Sequence, residues 1–310
     1  MKLTVFTALM NYQDDRIKAV AIAELKDPNS DYTGYAARYL VKAEGVAALG
    51  ILIQGFSNPK EAASGDIGTV IAKEIGIPAV EPLIDALGND NPAIQQGAKG
   101  TLGKIRMQYY EKSEVLAAFK KALKDYPNPT VRIELVGLLE GDAWKPEDVE
   151  LLIHLLDNSE APVREFGVRT LRRFKDPRGV DPLIKALSDP ELRVAKAAIY
   201  TLGNSKDPRA FYPLAQRLND KRFYGSVAEG LGYLMNDGVA VDPRAADSLI
   251  EAMSINDDSL IEPIIERALV AIGKSAVPLL EKALGEGDYR TRQRAARVLE
   301  EIRKQLGGVS

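Results

Sequence analysis

Residues 176–203, DPRGVDPLIKALSDPELRVAKAAIYTLG, decide the fold. Four apolar residues at positions i, i+3, i+4 and i+7 share one face of a predicted amphipathic helix. They are Val180, Leu183, Ile184 and Leu187. Asp189-Pro190 then interrupts the pattern, because an acidic side chain caps a helix and proline suits its first turn. A second helix is predicted to end near Leu202.

The same four-point pattern returns along the whole chain. Its last position recurs at steps of 31 to 36 residues, and the nine copies are Leu25, Phe56, Leu87, Leu123, Leu156, Leu187, Leu218, Met253 and Leu284. A helix pair of about 30 residues cannot bury its apolar face alone, so successive pairs must stack and share a core. The sequence therefore predicts an all-α fold, a right-handed α-α superhelix of about nine helix pairs.

Proline, asparagine and aspartate mark the predicted helix starts. The second helices are expected to begin at dipeptides in which proline follows aspartate or asparagine. The first residues of these dipeptides are Asp27, Asn58, Asn91, Asn128 and Asp189. Asp-Pro-Arg triplets open the next first helix, and they start at Asp176, Asp207 and Asp242. Pro82, Pro182 and Pro213 recur at one register and are expected to bend or delay those first helices. A left-handed helix end is predicted at four glycines, which are Gly76, Gly103, Gly203 and Gly232.

The repeat unit resembles the HEAT repeat superfamily, and more narrowly the HEAT-like repeats named after phycobilisome lyases. The resemblance rests on the segment 181–187, DPLIKAL, with Asp189-Pro190, Val194 and the segment 201–203, TLG. It extends over roughly residues 12–305. It implies an armadillo-type α solenoid and, as one alternative function, the attachment or removal of a bilin on a phycobiliprotein.

A single repeat array over residues 1–310 is the predicted domain organisation. Residues 1–12 are expected to form an N-terminal helix or cap, residues 13–288 the stacked repeats, and residues 289–310 a C-terminal capping helix and tail. The longer repeat steps place insertions at 107–113, which holds Tyr109 and Tyr110, and at 236–241.

Composition removes most catalytic chemistry. The chain has no cysteine, which excludes disulfides, thiolate metal sites and cysteine nucleophiles. Its one histidine, His154, is followed by Leu155, so the His-Glu pairs of the related iron hydroxylases are not present. We therefore expect no catalytic residue, no metal and no cofactor. Without a recognisable signal peptide or membrane span, a cytoplasmic protein is expected.

Candidate partner-binding residues lie on the concave face, which the second helices form in this architecture. They are Arg132, Arg164, Arg172, Arg173 and Tyr224, and a further candidate, Trp144, lies in the turn 141–146. Arginine is suited to carboxylates and phosphates, but these arginines would equally bridge to Asp125, Asp157 and Asp189 of adjoining repeats. The Trp144 indole must be packed or bound. Tyr224, with Tyr200, Tyr233 and Phe223, is expected either to form an aromatic patch or to pack between layers.

Three functions follow from these residues. The leading hypothesis is a non-catalytic scaffold that binds a protein or peptide on its concave face. In the bilin alternative, Arg132, Arg164 and Tyr224 hold the propionates and the tetrapyrrole. The third hypothesis is nucleic-acid binding through the arginine-rich segment 164–178, against which the net charge of −3 argues.

Overall fold

The computed structural model describes residues 14–109, 113–141, 144–255 and 261–307. Within these ranges the elements are helices and turns, and no strand occurs. The predicted all-α HEAT-like fold is therefore confirmed. The chain divides into two compact units, Met1–Ala143 and Trp144–Ser310. The predicted N-terminal cap and Tyr110 lie outside the described residues, and the single array stays a prediction.

Four helix pairs make up the described part of the first unit. They are α1 (Asp15–Lys26) with α2 (Thr33–Glu44), α3 (Leu49–Gly55) and a short α4 (Pro59–Ser64) with α5 (Asp66–Val70), α6 (Val80–Ala86) with α7 (Pro92–Gln108), and α8 (Ser113–Asp125) with α9 (Pro129–Leu138). A π-helical turn, Ile71–Ile75, continues α5.

Five pairs make up the described part of the second unit. They are α10 (Val149–Leu155) with α11 (Ala161–Leu171), α12 (Val180–Ala186) with α13 (Leu192–Gly203), α14 (Phe211–Gln216) with α15 (Tyr224–Asn236), α16 (Ala246–Ile255) with α17 (Glu262–Ile272), and α18 (Val277–Glu286) with α19 (Tyr289–Gly307). The nine pairs agree with the nine copies of the apolar pattern.

The core of each unit lies between two layers of helices. In the second unit α13 packs on its own first helix α12 and on the neighbouring second helices α11 and α15. The predicted inward residues Val180, Leu183 and Leu187 are buried. Each such side chain stabilises the fold by roughly 1.5–3 kcal/mol relative to an exposed one. The second helices of this unit therefore form one layer, and their outward sides form a face that we call the second-helix face.

Most of the predicted caps are confirmed. The side chains of Asn58, Asn91 and Asn128 each accept the backbone N–H two residues on, at 3.0, 3.0 and 2.9 Å. The prediction is wrong for Asp27 and Asp189, which make the same bond inside a turn and not at a helix start. In both cases the second helix begins later, at Thr33 and Leu192.

The predicted role of the glycines holds at only one position. Gly76 has a φ of +68° and ends the second helix of its pair. Gly103 and Gly232 lie inside helices, and Gly203 is the last residue of α13. A Cβ on Gly203 would lie 2.5 Å from the Gly230 Cα, so this glycine lets α13 and α15 approach each other closely.

The recurring prolines delay the regular helix, as predicted. Three-residue 3-10 turns precede α6, α12 and α14, and each α-helix has its proline as the third residue. Proline lacks the N–H that would bond to the carbonyl four residues earlier. The tighter turn before it does not require that bond.

Candidate functional site

Arg164, a predicted binding residue on α11, forms its hydrogen bonds with other residues of the protein. Its Nε and Nη2 donate to the two carboxylate oxygens of Asp189 at 2.7 and 2.9 Å. Its Nη1 donates to the carbonyls of Asn158 and Ser159 at 2.9 Å. The two charged side chains are 13% and 8% exposed. The alternative prediction, a bridge to Asp189 of the next repeat, is therefore confirmed.

The same bond lowers the pKa of Asp189. Burial alone would raise that pKa, but the Arg164 guanidinium and the Glu191 N–H outweigh it. Hydrogen bonding to Asp189 in turn raises the pKa of Arg164. Both groups are thus held in their charged forms, as expected of a buried pair with its hydrogen bonds made.

Arg132 has a similar structural use in the first unit. Its Nη1 donates to the carbonyls of Tyr126 and Pro127 at 2.5 and 3.3 Å. These carbonyls belong to the residues just after α8, where the helix supplies no further N–H donors. Arg132 and Arg164 therefore both stabilise the turn that joins a first helix to a second helix.

Trp144 lies in the packing of the second unit. Its side chain is 5% exposed, and its ring meets that of Phe166 edge to face with centroids 5.5 Å apart. Of the two expectations for this indole, the structure supports packing. We therefore leave Trp144 out of the binding surface.

The predicted aromatic patch divides into two parts. Phe223 is buried, and the guanidinium groups of Arg217 and Arg222 cover its ring at 4.6 and 5.3 Å. Tyr224 is half-buried at the first position of α15, and no described residue hydrogen-bonds to its buried hydroxyl. It lies nine residues, or about 13 Å of helix, from Tyr233, so the two do not form one site.

Arg172, Tyr200 and Tyr233 form a row across three second helices. The Arg172 Cζ lies 4.9 Å from the centroid of the Tyr200 ring, a cation–π distance. The Tyr200 and Tyr233 rings meet edge to face at 6.1 Å. The Tyr233 hydroxyl donates to Glu229, and this bond raises its pKa to about 12. Of the predicted binding residues, the structure brings Arg172 into this row, with Arg173 exposed beside it.

The sequence gives only a weak signal that Tyr200 lies on the surface of its helix. It is 37% exposed although its helix is mostly buried. The signal lies in its register, since Tyr200 follows Arg193 and Lys196 at i+7 and i+4 on the polar stripe of α13.

The Asp-Pro-Arg triplets form a separate ladder on the first-helix side. Each aspartate caps its turn and binds the arginine of its own triplet, and the three pairs are Asp176–Arg178, Asp207–Arg209 and Asp242–Arg244. The side-chain bond to arginine lowers the pKa of each aspartate. Each arginine also reaches the second residue of the preceding first helix, which is Glu150, Asp181 or Tyr212. The arginine in the triplet therefore connects successive repeats.

A cavity of about 300 Å³ lies in the first unit, between α6 and α8. The Tyr126 hydroxyl donates to Asp85 at 2.5 Å across it. Burial and the neighbouring carboxylate raise the pKa of Tyr126 to about 12. Since first helices line it, this cavity is separate from the second-helix face.

His154 is exposed on α10. Across the ranges that the structure describes, no three histidine, aspartate or glutamate side chains come together in a way that would hold a metal ion. Among the same residues, no helix is long and apolar enough to cross a membrane.

The repeated pairs, with their shared core and layered second helices, define an α-helical repeat protein. Residues 149–232 match the family model described as HEAT repeats. The resemblance to HEAT repeats is therefore confirmed for that segment. No curated protein matches it.

Several solved structures are similar at low identity. YibA of Escherichia coli is 20% identical over 87% of this chain and 96% of its own, with a TM-score of 0.46. The complex of CpcE and CpcF of phycocyanin lyase from a Nostoc species is 21% identical over 70% and 74%, with a TM-score of 0.29. Human deoxyhypusine hydroxylase is 19% identical over 82% and 95%, with a TM-score of 0.34.

Proposed function

We propose that this protein is a non-catalytic interaction scaffold. It binds a protein or peptide segment on the second-helix face of its second unit. The observation that carries the proposal is the row formed by Arg172, Tyr200 and Tyr233. We further propose that it acts in the cytoplasm and without a cofactor.

The row is not required by the packing of the repeats. The helices α11, α13 and α15 bury apolar side chains such as Val168, Ile199 and Leu231 on their inward sides. Tyr200 instead remains 37% exposed, between an arginine and a second tyrosine. Tyrosine and arginine are the residue types that dominate binding energy at protein interfaces. Repeat proteins also bind along the continuous surfaces that their stacked helices create.

Site-specific photocrosslinking tests this proposal. Tyr200 is replaced by a photoreactive phenylalanine analogue, the protein is expressed in its source cell, and adducts are identified by mass spectrometry. The matched control carries the same analogue at Ile255, a 45% exposed residue on the first helix α16. We expect a protein adduct that forms from Tyr200 and not from Ile255, and that is lost when Arg172→Ala and Tyr233→Ala are added. Identical adducts from both positions, or none, would contradict the proposal.

The bilin alternative loses two of the residues assigned to it. The Arg164 guanidinium is bound by Asp189 and two carbonyls, and Arg132 donates to two carbonyls of its own turn. A propionate at the Arg164 guanidinium or at the Arg132 Nη1 would have to displace these bonds. A change in the absorbance spectrum of phycocyanobilin on mixing with the protein would restore that alternative.

A further inference from the structure

We infer that the segment bound on the second-helix face is acidic. This inference rests on the proposed function and names the chemistry of its partner. The site consists of the row together with the polar stripes of α11 and α13, and we call the whole surface the basic stripe. Its stripe residues are Arg169 on α11, Arg172 directly after the end of α11, and Arg193, Lys196 and Tyr200 on α13.

These residues face outward on two neighbouring helices. Glu165 and Arg169 on α11 and its C-cap Arg172, which keeps helical backbone angles, follow at i, i+4 and i+7. On α13, Arg193, Lys196 and Tyr200 follow at i, i+3 and i+7. Residues at these spacings lie one above another on a helix surface, and α11 packs directly on α13. Four cations and one carboxylate thus line two adjacent parallel stripes.

Two cations of the basic stripe have no polar partner among the described residues. In the described part of the chain, neither Arg193 nor Lys196 forms an ion pair or a hydrogen bond. Among the described residues the Arg172 side chain has no ion pair or hydrogen bond and lies over the Tyr200 ring, and Arg169 lies 3.7 Å from Glu165. The arginines of the Asp-Pro-Arg ladder and of α19, such as Arg297, are instead bound by carboxylates. These residues therefore form a locally positive surface in a chain of net charge −3.

Charge complementarity selects carboxylates as the partner groups. Arginine and lysine attract an anionic segment and orient it during encounter. A protein segment is favoured over a nucleic-acid backbone, because such a backbone gains its affinity from many phosphate contacts, and this stripe offers four cations in a chain of net charge −3. The tyrosine rings add an apolar contact, so the segment should also contain an aromatic or aliphatic side chain.

The spacing of the helices sets the form of the segment. Packed helices lie about 8–10 Å apart, and an extended chain advances about 3.3 Å per residue. An extended peptide crossing α11, α13 and α15 therefore meets one helix about every three residues. A segment of about nine residues, with its acidic groups over α11 and α13 and an apolar group near Tyr233, covers the basic stripe.

Fluorescence polarisation with two synthetic peptides tests the inference. The first peptide is fluorescein-labelled and repeats Asp-Glu-Phe over about nine residues, and the second repeats Asn-Gln-Phe at the same length. The variant carries Arg193→Glu and Lys196→Glu. The matched control carries Lys185→Glu and Lys282→Glu, which make the same change of charge at exposed positions of the first helices α12 and α18.

We expect the acidic peptide to bind at least about tenfold more tightly than the neutral one, and to weaken as salt rises. The Arg193/Lys196 variant should lose at least about tenfold in affinity, and the control variant should retain it. Equal binding of both peptides, an unchanged affinity of the variant, or tighter binding of a labelled oligothymidine would overturn the inference.

The two proposals fail in distinguishable ways. If Tyr200 captures a protein in the cell while the acidic peptide does not bind, the scaffold stands and the acidic partner is refuted. If Tyr200 captures nothing and neither peptide binds, the scaffold function itself is refuted.

Discussion

Replacing Arg164 tests most directly whether a central arginine serves the fold or a partner. In Arg164→Met the long side chain is kept, but its four hydrogen bonds are lost. The Asp189 carboxylate, 8% exposed in the unchanged protein, then keeps the hydrogen bond from the Glu191 N–H at 2.8 Å but loses its cation. The carbonyls of Asn158 and Ser159 lose the same donor.

The expected loss follows from the burial of this pair. Removing one partner of a buried ion pair costs about 3–5 kcal/mol, because the other charge stays without compensation. The Glu191 N–H still binds Asp189, and both side chains retain some exposure, so we expect the lower end, about 3 kcal/mol. A second change, Asp189→Asn, should recover part of this loss, because it removes the uncompensated charge.

Trp144 supplies the assay, since it is the only tryptophan in the chain. It packs on Phe166, two residues from Arg164 on the same helix, so its fluorescence reports the unfolding of this pair in urea. The control is Arg169→Met, because Arg169 is exposed on the same helix and lies only 3.7 Å from Glu165. The control should change the free energy of unfolding by less than about 0.5 kcal/mol. If Arg164→Met unfolds at the same urea concentration as the control, the structural role of Arg164 is refuted.

Three further predictions follow. The pKa of Asp189 lies below its unfolded value of about 3.9, so the stabilisation it gives is complete above that pH and is lost as the pH falls through the folded pKa. Acid titrations should therefore show a smaller loss of stability below about pH 4 in Asp189→Asn than in the unchanged protein. Gly203→Ala should lower the free energy of unfolding measured in urea by about 1–2 kcal/mol, since the overpacking cost of about 1–3 kcal/mol exceeds the gain in helix propensity. The control Gly225→Ala, with nothing within 4 Å of the new Cβ, should raise it slightly. Arg209→Gln should shift the urea midpoint little, because an exposed ion pair contributes only about 0–1 kcal/mol, and a large loss would show that the ladder stabilises the stack more than its exposure indicates.

The periodic part of the fold could be predicted because each repeat makes the same local choices. An apolar face at i, i+3, i+4 and i+7 encodes a helix without reference to its neighbours. An asparagine such as Asn91 caps through a bond two residues away, which is also local. These features gave the nine pairs and most of their starting points.

The role of the glycines could not be predicted in this way, because it depends on a neighbouring helix. A glycine after the last apolar residue fits both a left-handed end and a close approach of two helices. Gly76 has the first role and Gly203 the second, at equivalent positions of the repeat. Only the position of Gly230 on the adjacent helix distinguishes them.

The same dependence explains the candidate site. Arg164 and Arg193 are both arginines near the start of a second helix, in successive repeats. The Arg164 side chain reaches Asp189 of the next pair, whereas Arg193 faces outward and none of the described residues pairs with it. An arginine in a repeat protein is therefore a candidate for binding only when the neighbouring repeat supplies no carboxylate within its reach. By this criterion Arg164 is a structural residue, and the proposed site is the row of Arg172, Tyr200 and Tyr233 beside Lys196.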